Sequence, residues 1–276
     1  MSLISSVTSL IMGKKTGYIV VMGMTGSGKT TFISHLASPE DKPGAGHSLR
    51  SSTVGTSRYR VRIPAHLRGA SIYDDIVLVD TPGFDDTTRS DLDVLRTIAD
   101  ELDRLRQEGR HLLGVLFLHR ITDMRLTNSA IKNVTVLQKI CGSDNYDRVF
   151  LATTMWDVVS FSKEASNSAQ ARQEELEEYW AELFGGRSAM QPHLFNTRDS
   201  AWEIVKPLLD KPNRSLEIQV ELLDRPLERT KVGEYLSYGL LDARKRQELV
   251  ARRDSITPSQ IGNKSWWSSV IDFWSD

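Results

Sequence analysis

A glycine-rich octapeptide near the start of the chain, GMTGSGKT at residues 23–30, narrows the choice of fold sharply. It matches the pattern G-x-x-x-x-G-K-[ST] and lies between an apolar run, Tyr18 to Met22, and a segment of helical character, Lys29 to Ala37. A strand, a glycine-rich turn and a helix in this order are the context in which the pattern forms a phosphate-binding loop, or P-loop. The octapeptide therefore predicts an α/β protein with a phosphate site after its first strand.

The residue types of the octapeptide suit a purine nucleoside triphosphate with bound Mg²⁺. Glycines let the backbone wrap closely around phosphate, and amides at the start of a helix donate to its oxygens. We expect Lys29 to reach the β and γ phosphates and Thr30 to place its hydroxyl on Mg²⁺. The residues expected to contact the nucleotide here are Gly23, Thr25, Gly26, Ser27, Gly28, Lys29, Thr30 and Thr31.

Two further segments offer groups for the metal and the γ phosphate. Asp80-Thr81-Pro82-Gly83 follows the apolar run Ile76 to Val79, so Asp80 can hold Mg²⁺ through its water shell and the Gly83 amide can face the γ phosphate. The alternative is an ordinary turn at a strand end. The long loop Ser38 to Ser57 carries Thr53 and Thr56, either of which can bind Mg²⁺ as the loop closes. We prefer Thr53, and the alternative is that both are ordinary loop residues.

Short β-branched runs alternate with longer helical patterns along the rest of the chain, which indicates a mainly parallel sheet flanked by helices. Arg58–Ile63 and Ile76–Val79 fit an antiparallel edge hairpin, and His193–Phe195 is expected to close the sheet. The other expected strands are Leu112–Leu118 and Val149–Thr153, and the expected helices are Asp91–Gln107, Ile131–Ile140, Glu174–Leu183 and Ala201–Leu209. After Pro212 a highly charged, mostly helical stretch is predicted to continue to Asp254.

The charge and the cysteine content exclude several classes of protein. Lys and Arg total 35 against 36 Asp and Glu, so no global field attracts nucleic acid, and no nucleic-acid partner is expected. Cys141 is the only cysteine, so an intramolecular disulfide framework is excluded. Because no apolar run reaches the length of a membrane span, we expect a cytoplasmic protein.

The motifs together carry a resemblance to a known group of proteins. GMTGSGKT, the Thr-bearing loop, DTPGF followed by DD, and the strand GVLFLHRITDMR resemble the GTPases grouped with septins, GIMAP proteins and Toc import receptors, over Tyr18 to Leu209. Within that group the chain is most similar to fungal GIMAP-like G-domain proteins with a TMWD motif. The resemblance implies bound GTP or GDP with Mg²⁺ and a nucleotide-dependent homodimer. Together with the change of pattern after Pro212 it predicts a G domain at 15–210 and a helical extension at 211–276.

The resemblance also implies which residues read the base. In Thr154-Met155-Trp156-Asp157, Thr154 contacts the nucleotide and Asp157 accepts hydrogen bonds from guanine N1 and N2, while Met155 stands where such GTPases usually have lysine. Met155 or Trp156 can then stack on the base, and the alternative is a strand-end turn. Asn196 in Phe195-Asn196-Thr197 matches a further base contact, although a helix N-cap region explains it equally well.

The sequence leaves hydrolysis and the chain's end open. Phe84 stands where Ras-type GTPases have a water-orienting glutamine, which favours slow turnover, and no catalytic residue is assigned. A non-hydrolysing scaffold, a P-loop ATPase and a nucleoside kinase remain alternatives. The aromatic segment Trp266–Trp274 has i, i+4 spacing; it either folds back on the domain or contacts a membrane or a partner protein, which would make the protein peripheral to a membrane.

Overall fold

The computed structural model describes residues 15–38, 55–68, 72–86, 88–124, 127–187, 189–190 and 193–238. The chain divides into two compact units, Met1–Glu234 and Tyr235–Asp276. Within the described residues no helix is long and apolar enough to cross a bilayer.

A six-stranded sheet forms the centre of the first unit, in the order β2-β3-β1-β4-β5-β6. All pairs are parallel except β2 with β3, which confirms the predicted antiparallel pair at the edge. The central strands are buried on both faces, as their continuous apolar runs indicate. The strands are β1 Lys15–Gly23, β2 Ser57–Arg62, β3 Tyr73–Asp80, β4 His111–Arg120, β5 Val149–Thr154 and β6 Ala189–Met190.

Helices follow most of the strands and cover the sheet, which confirms the predicted α/β class. The helices are α1 Lys29–Leu36, α2 Ala65–Arg68, α3 Asp91–Gln107, α4 Asn128–Cys141, α5 Trp156–Val159, α6 Lys163–Leu183, α7 Arg198–Val205 and α8 Glu217–Glu221. The predicted bounds of α3 are confirmed; Ser90 caps it by accepting a hydrogen bond from the Asp93 amide. Core residues of α1 and α7 pack with those of β1 and β3 in one apolar cluster.

Two predicted elements differ from the structure. The strand that closes the sheet, Ala189–Met190, lies just before the predicted His193–Phe195, and Leu194 of that segment donates its amide to the Thr153 carbonyl at the end of β5. Phe195 donates its amide to the Ser200 hydroxyl, so the chain turns there into the start of α7. Helix α6 begins eleven residues before the predicted Glu174. Its first half lacks an apolar stripe, and Ser162 starts it by accepting a hydrogen bond from the Ala165 amide.

Residues 213–234 belong to the first unit and do not form one long helix. Leu216 and Ile218 are fully buried, and the Gln219 side chain donates to the Leu102 carbonyl in α3. Among the described residues after 221, 227–229 form a 3₁₀ turn and 231–238 are helical. The boundary predicted at 210/211 stays a prediction, as does the helical stretch beyond 238.

Candidate functional site

The carboxyl ends of four neighbouring strands bring the predicted site residues to one edge of the sheet. β1 ends at Gly23, β3 at Asp80, β4 at Arg120 and β5 at Thr154. The chain leaves β1 for β3 on one side and then reaches β4 on the other, so the P-loop lies at the point where the strand order reverses. Open parallel sheets bind ligands at this point.

Lys29 is a buried cation inside this loop. Its ammonium donates to the Gly23 and Met24 carbonyls at 3.1 and 2.9 Å, and only 7% of the residue is exposed. Burial lowers the pKa of Lys29 to about 8, with Asp80 opposing the shift and Arg120 adding to it. No carboxylate pairs directly with the ammonium in the described hydrogen bonds, so an anion brought to this loop would compensate a buried charge.

The start of α1 provides the donors that an anion needs. Gly28 precedes the helix in a left-handed conformation, with φ of 87°, and no side chain caps the first amides. Only glycine adopts this conformation without strain. The Thr25 and Ser27 hydroxyl oxygens are buried without a hydrogen-bond partner among the described residues. Uncapped amides, two such hydroxyls and a buried ammonium fit a chain of phosphates.

Thr30 and Asp80 meet across the sheet, as the two motifs predict. The Thr30 hydroxyl donates to an Asp80 carboxylate oxygen at 2.9 Å, and Asp80 is 1% exposed. Mg²⁺ takes oxygen ligands and is usually held by one or two protein groups together with phosphate oxygens and water. These two side chains therefore fit that ion, and the direct contact predicted for Thr30 and the water-mediated contact predicted for Asp80 stay predictions.

The loop after β3 lies directly against the P-loop. The Thr81 hydroxyl donates to the Val21 carbonyl at 2.7 Å, and the Thr25 amide donates to the Phe84 carbonyl at 2.9 Å. A Cβ atom built on Gly83 would lie 2.4 Å from the Thr25 nitrogen, so only glycine fits there. The Phe84 side chain is fully buried and points no functional group at the phosphate loop.

The two threonines of the long loop have different outcomes. Thr53 lies outside the described residues, and its role stays a prediction. Thr56 is described, and its hydroxyl donates to Glu101 of α3 at 3.3 Å. Ser57, the next residue, pairs with Asp80 across the β2–β3 ladder.

The predicted base-reading segment adjoins the P-loop. The Thr154 hydroxyl donates to the Ser27 carbonyl at 3.0 Å, which ties the end of β5 to the octapeptide. Met155 has a positive φ of 65°, and Asp157 is exposed in the first turn of α5. The Trp156 indole is buried, stacks on His193 at 3.7 Å between ring centroids and donates to Thr153. Trp156 is therefore not available to stack on a base, and stacking by Met155 stays a prediction.

Asn196 is exposed and has a positive φ of 52°. The next residue, Thr197, caps α7 by accepting a hydrogen bond from the Ser200 amide at 3.2 Å. The N-cap interpretation of this segment is thus confirmed for Thr197, and the base contact of Asn196 stays a prediction. Thr31, predicted to contact the nucleotide, lies in the first turn of α1 and is exposed.

Arg120 is a site residue that the motifs did not assign. Its Nη1 atom lies 3.4 Å from the position of a Cβ on Gly26, so the guanidinium lies over the P-loop, where it also contacts Asp123. The sequence could have predicted this position, because Arg120 ends the strand β4, which pairs with β1 in the sheet. A cation there adds to the field that attracts phosphate.

Comparisons with known proteins agree with this geometry. A family model described as 50S ribosome-binding GTPase matches residues 18–182. No curated protein matches the chain in sequence. A dimerization-deficient mutant of Toc33 from Arabidopsis thaliana is 15% identical, with a TM-score of 0.53 over 75% of this chain and 87% of that one. Toc33 with GDP and Mg²⁺ is 14% identical, with a TM-score of 0.52 over 76% and 91% of the two chains.

Proposed function

Because the chain belongs to the family described as 50S ribosome-binding GTPases, we propose that it binds GTP or GDP with Mg²⁺ in a G domain and hydrolyses GTP slowly. The contact that carries this proposal is the 2.9 Å hydrogen bond between Thr30 and Asp80, beside the buried ammonium of Lys29. It supports a magnesium–phosphate site to which the octapeptide and the Asp80 segment both contribute. Bound Mg²⁺ would neutralise charge on the phosphates, while Lys29 and the α1 amides hold their oxygens.

Guanine recognition is assigned to Asp157. The carboxylate is exposed at the nucleotide end of β5, and Thr154 fixes this segment to the octapeptide. Met155 lies beside it, with its sulfur accepting a hydrogen bond from Thr122 at 3.6 Å, and its apolar stem would cover the base in place of lysine. The resemblance to fungal GIMAP-like proteins supports this use of TMWD, with Asn196 as a further contact.

The switch is assigned to the loop that ends at β2. Ser57 pairs with Asp80, so the chain four residues after Thr53 lies beside the metal-side carboxylate. This supports Thr53 as the second Mg²⁺ ligand and the group that closes on the γ phosphate. The extension 211–276 and its Trp266–Trp274 tail would then contact a membrane or a partner, although the tail lies outside the described residues.

Slow turnover follows from Phe84, which is buried and has no side-chain group to orient water. A second protomer would supply the missing group, as the resemblance to septins and GIMAP proteins implies. Among the similar structures, one comes from work on chloroplast translocon components atToc33 and psToc159, for which dimerization is important for GTPase activity. It is 14% identical, with a TM-score of 0.50 over 74% of this chain and 85% of that one. Phe84 also favours a second candidate, a nucleotide-binding scaffold without turnover.

Titration calorimetry with non-hydrolysable GTP and ATP analogues in Mg²⁺ tests the proposal. We expect selective binding of the guanine analogue, loss of binding in Lys29→Ala, and retention in Lys15→Ala, a matched lysine at the opposite end of β1. Equal binding of both analogues would overturn the guanine assignment. Phosphate release over many turnovers separates the GTPase from the scaffold. A release rate per protomer that rises with protein concentration supports a dimer.

A further inference from the structure

A strained turn follows the loop that contacts the P-loop. Asp85 has a φ of 61°, the left-handed region that residues other than glycine rarely occupy. Its amide donates to one oxygen of the Asp91 carboxylate at 3.1 Å, and the other oxygen accepts from the Lys132 ammonium at 2.6 Å. Asp91 begins α3 and Lys132 lies on α4, so two helices hold one turn.

Asp85 lies two residues after Gly83. Phe84 separates the two residues; its side chain is fully buried and its carbonyl accepts from the Thr25 amide. A backbone in a sparsely populated conformation persists when its surroundings over-determine it, and such positions cluster at functional sites. Here the surroundings are the Thr25 contact on one side of Phe84 and the Asp91 carboxylate on the other.

We infer that Asp91 is a positioning residue for the third phosphate: held by Lys132, it fixes the Asp85 turn and keeps the Gly83 amide against the P-loop. The inference rests on the proposed function and deepens it. A nucleoside diphosphate uses the octapeptide, which Asp91 does not touch. A triphosphate also needs the Gly83 side of the site, so Asp91 acts on triphosphate affinity and makes the site discriminate between the two ligands.

The test compares two affinities in the full chain. GDP and the non-hydrolysable analogue GMPPNP are titrated, each with Mg²⁺, into the wild type, Asp91→Ala, Lys132→Met and Asp93→Ala. Asp93 is the matched control, because it is the other acidic residue in the first turn of α3 and contacts Ser90 and Arg96 instead of Asp85. Circular dichroism on heating checks that each variant is folded.

We expect Asp91→Ala to weaken GMPPNP binding by about tenfold with GDP binding unchanged, since it removes a hydrogen bond to a charged group. Lys132→Met should shift the same ratio in the same direction by less, and Asp93→Ala should leave it unchanged. An equal loss of both ligands in Asp91→Ala would mean a merely structural role and would overturn the inference. If Asp91→Ala fails to fold, Lys132→Met decides by the same ratio. If the wild type binds GDP and neither variant changes the ratio of GMPPNP affinity to GDP affinity, the inference alone is refuted. If the wild type binds neither ligand, the proposed function is refuted.

Discussion

Burial makes the ammonium of Lys29 destabilise the fold that carries it, whereas we propose that the same charge stabilises a bound phosphate. Its pKa of about 8 lies below the ordinary 10.5 because burial removes water from the charge. The folded chain therefore disfavours the protonated form, and this penalty is fully present below pH 8 and disappears as the pH rises to 10.5. Phosphate binding and stability make opposite demands on this one side chain.

We expect Lys29→Met to raise the free energy of unfolding without nucleotide at pH 7, by about 1–3 kcal/mol, since a shift of one pKa unit corresponds to about 1.4 kcal/mol. Urea unfolding at pH 7 and at pH 9.5 checks this, and the gain should shrink at the higher pH. A variant less stable than the wild type at pH 7 would show that the Gly23 and Met24 hydrogen bonds outweigh desolvation. With GTP and Mg²⁺ present the order should reverse.

Asp157→Asn should shift the base preference from guanine to xanthine. In the proposed contact the carboxylate accepts from the N1 and 2-amino groups of guanine, whereas an amide can donate to the carbonyl that xanthine has in place of that amino group. Competition between the two nucleotides measures the shift, and we expect the ratio of affinities to change by at least about tenfold, as for other lost hydrogen bonds to charged groups. Asp199→Asn, an exposed carboxylate at the start of α7, is the control. An unchanged ratio would show that TMWD does not read the base.

Residues in contiguous motifs could be predicted from the sequence, and residues joined by tertiary structure could not. The positions of Lys29, Thr30 and Asp80 follow from a strand, a turn and the parallel sheet. The hydrogen bond from Thr56 to Glu101 spans 45 residues and has no local signal. The stacking of Trp156 on His193 depends likewise on how β5 and the chain after β6 meet.

At the scale of elements, one buried carboxylate connects β2 to α3. Glu101 is 2% exposed; it accepts from the Arg58 side chain at 2.6 Å and also from Thr56 and Arg104. Ser57, between Thr56 and Arg58, pairs with Asp80. Helix α3, which follows the Gly83 segment, thereby contacts strand β2, which follows the predicted switch loop.

Glu101→Gln should lower the free energy of unfolding by about 2 kcal/mol, because it removes the charge of a buried carboxylate to which Arg58 and Arg104 donate. Glu108→Gln is the matched control, since Glu108 also accepts from Arg58 but is more exposed. We expect the control to cost less than about 1 kcal/mol, as exposed ion pairs do. Thermal and urea unfolding of the three proteins measure both values, and equal losses would contradict a special role for Glu101.

Element prediction succeeded where periodicity and buried runs were strong, as for α3 and the central strands. It failed where tertiary contacts stabilise a weak pattern. The first half of α6 buries only Ala169 and Gln173, whose amide oxygen accepts from Thr153. The spacing of apolar residues does not predict a polar interface of this kind.

At the scale of the molecule, a fully buried arginine joins the end of the first unit to its sheet. Arg148 donates to the carbonyls of Leu112, Pro212 and Arg214 at 2.7, 2.9 and 2.6 Å, and to Asn145. Burial lowers the pKa of Arg148 to about 10. The sequence predicted an appended helical element after 210. It could not predict the contacts of this segment with the sheet, because a guanidinium that bonds to backbone carbonyls leaves no pattern in side-chain types.

Truncation tests whether the segment after 210 is an appended element or part of the fold of the first unit. A chain that ends after Asp210 should lose cooperative unfolding, because Arg148 loses two of its acceptors and the buried positions of Leu216 and Ile218 are uncovered. A chain that ends after Tyr238 should retain nucleotide binding. Circular dichroism on heating and GDP titration check both, and a cooperative, GDP-binding 1–210 fragment would support the boundary at 210.

The places of the Arg148 acceptors along the chain also imply an order for the folding of this sheet during synthesis. While residue 214 is still inside the ribosomal tunnel, β1, β3, β4 and β5 have emerged, but the Arg148 guanidinium has only part of its acceptors. A nascent sheet in that state would bury a cation that has only the Leu112 and Asn145 acceptors, which is unfavourable. The residues predicted to contact the nucleotide end at Asn196, whereas the last of the Arg148 acceptors lies at Arg214, so we expect stable nucleotide binding only after residue 214 has left the tunnel.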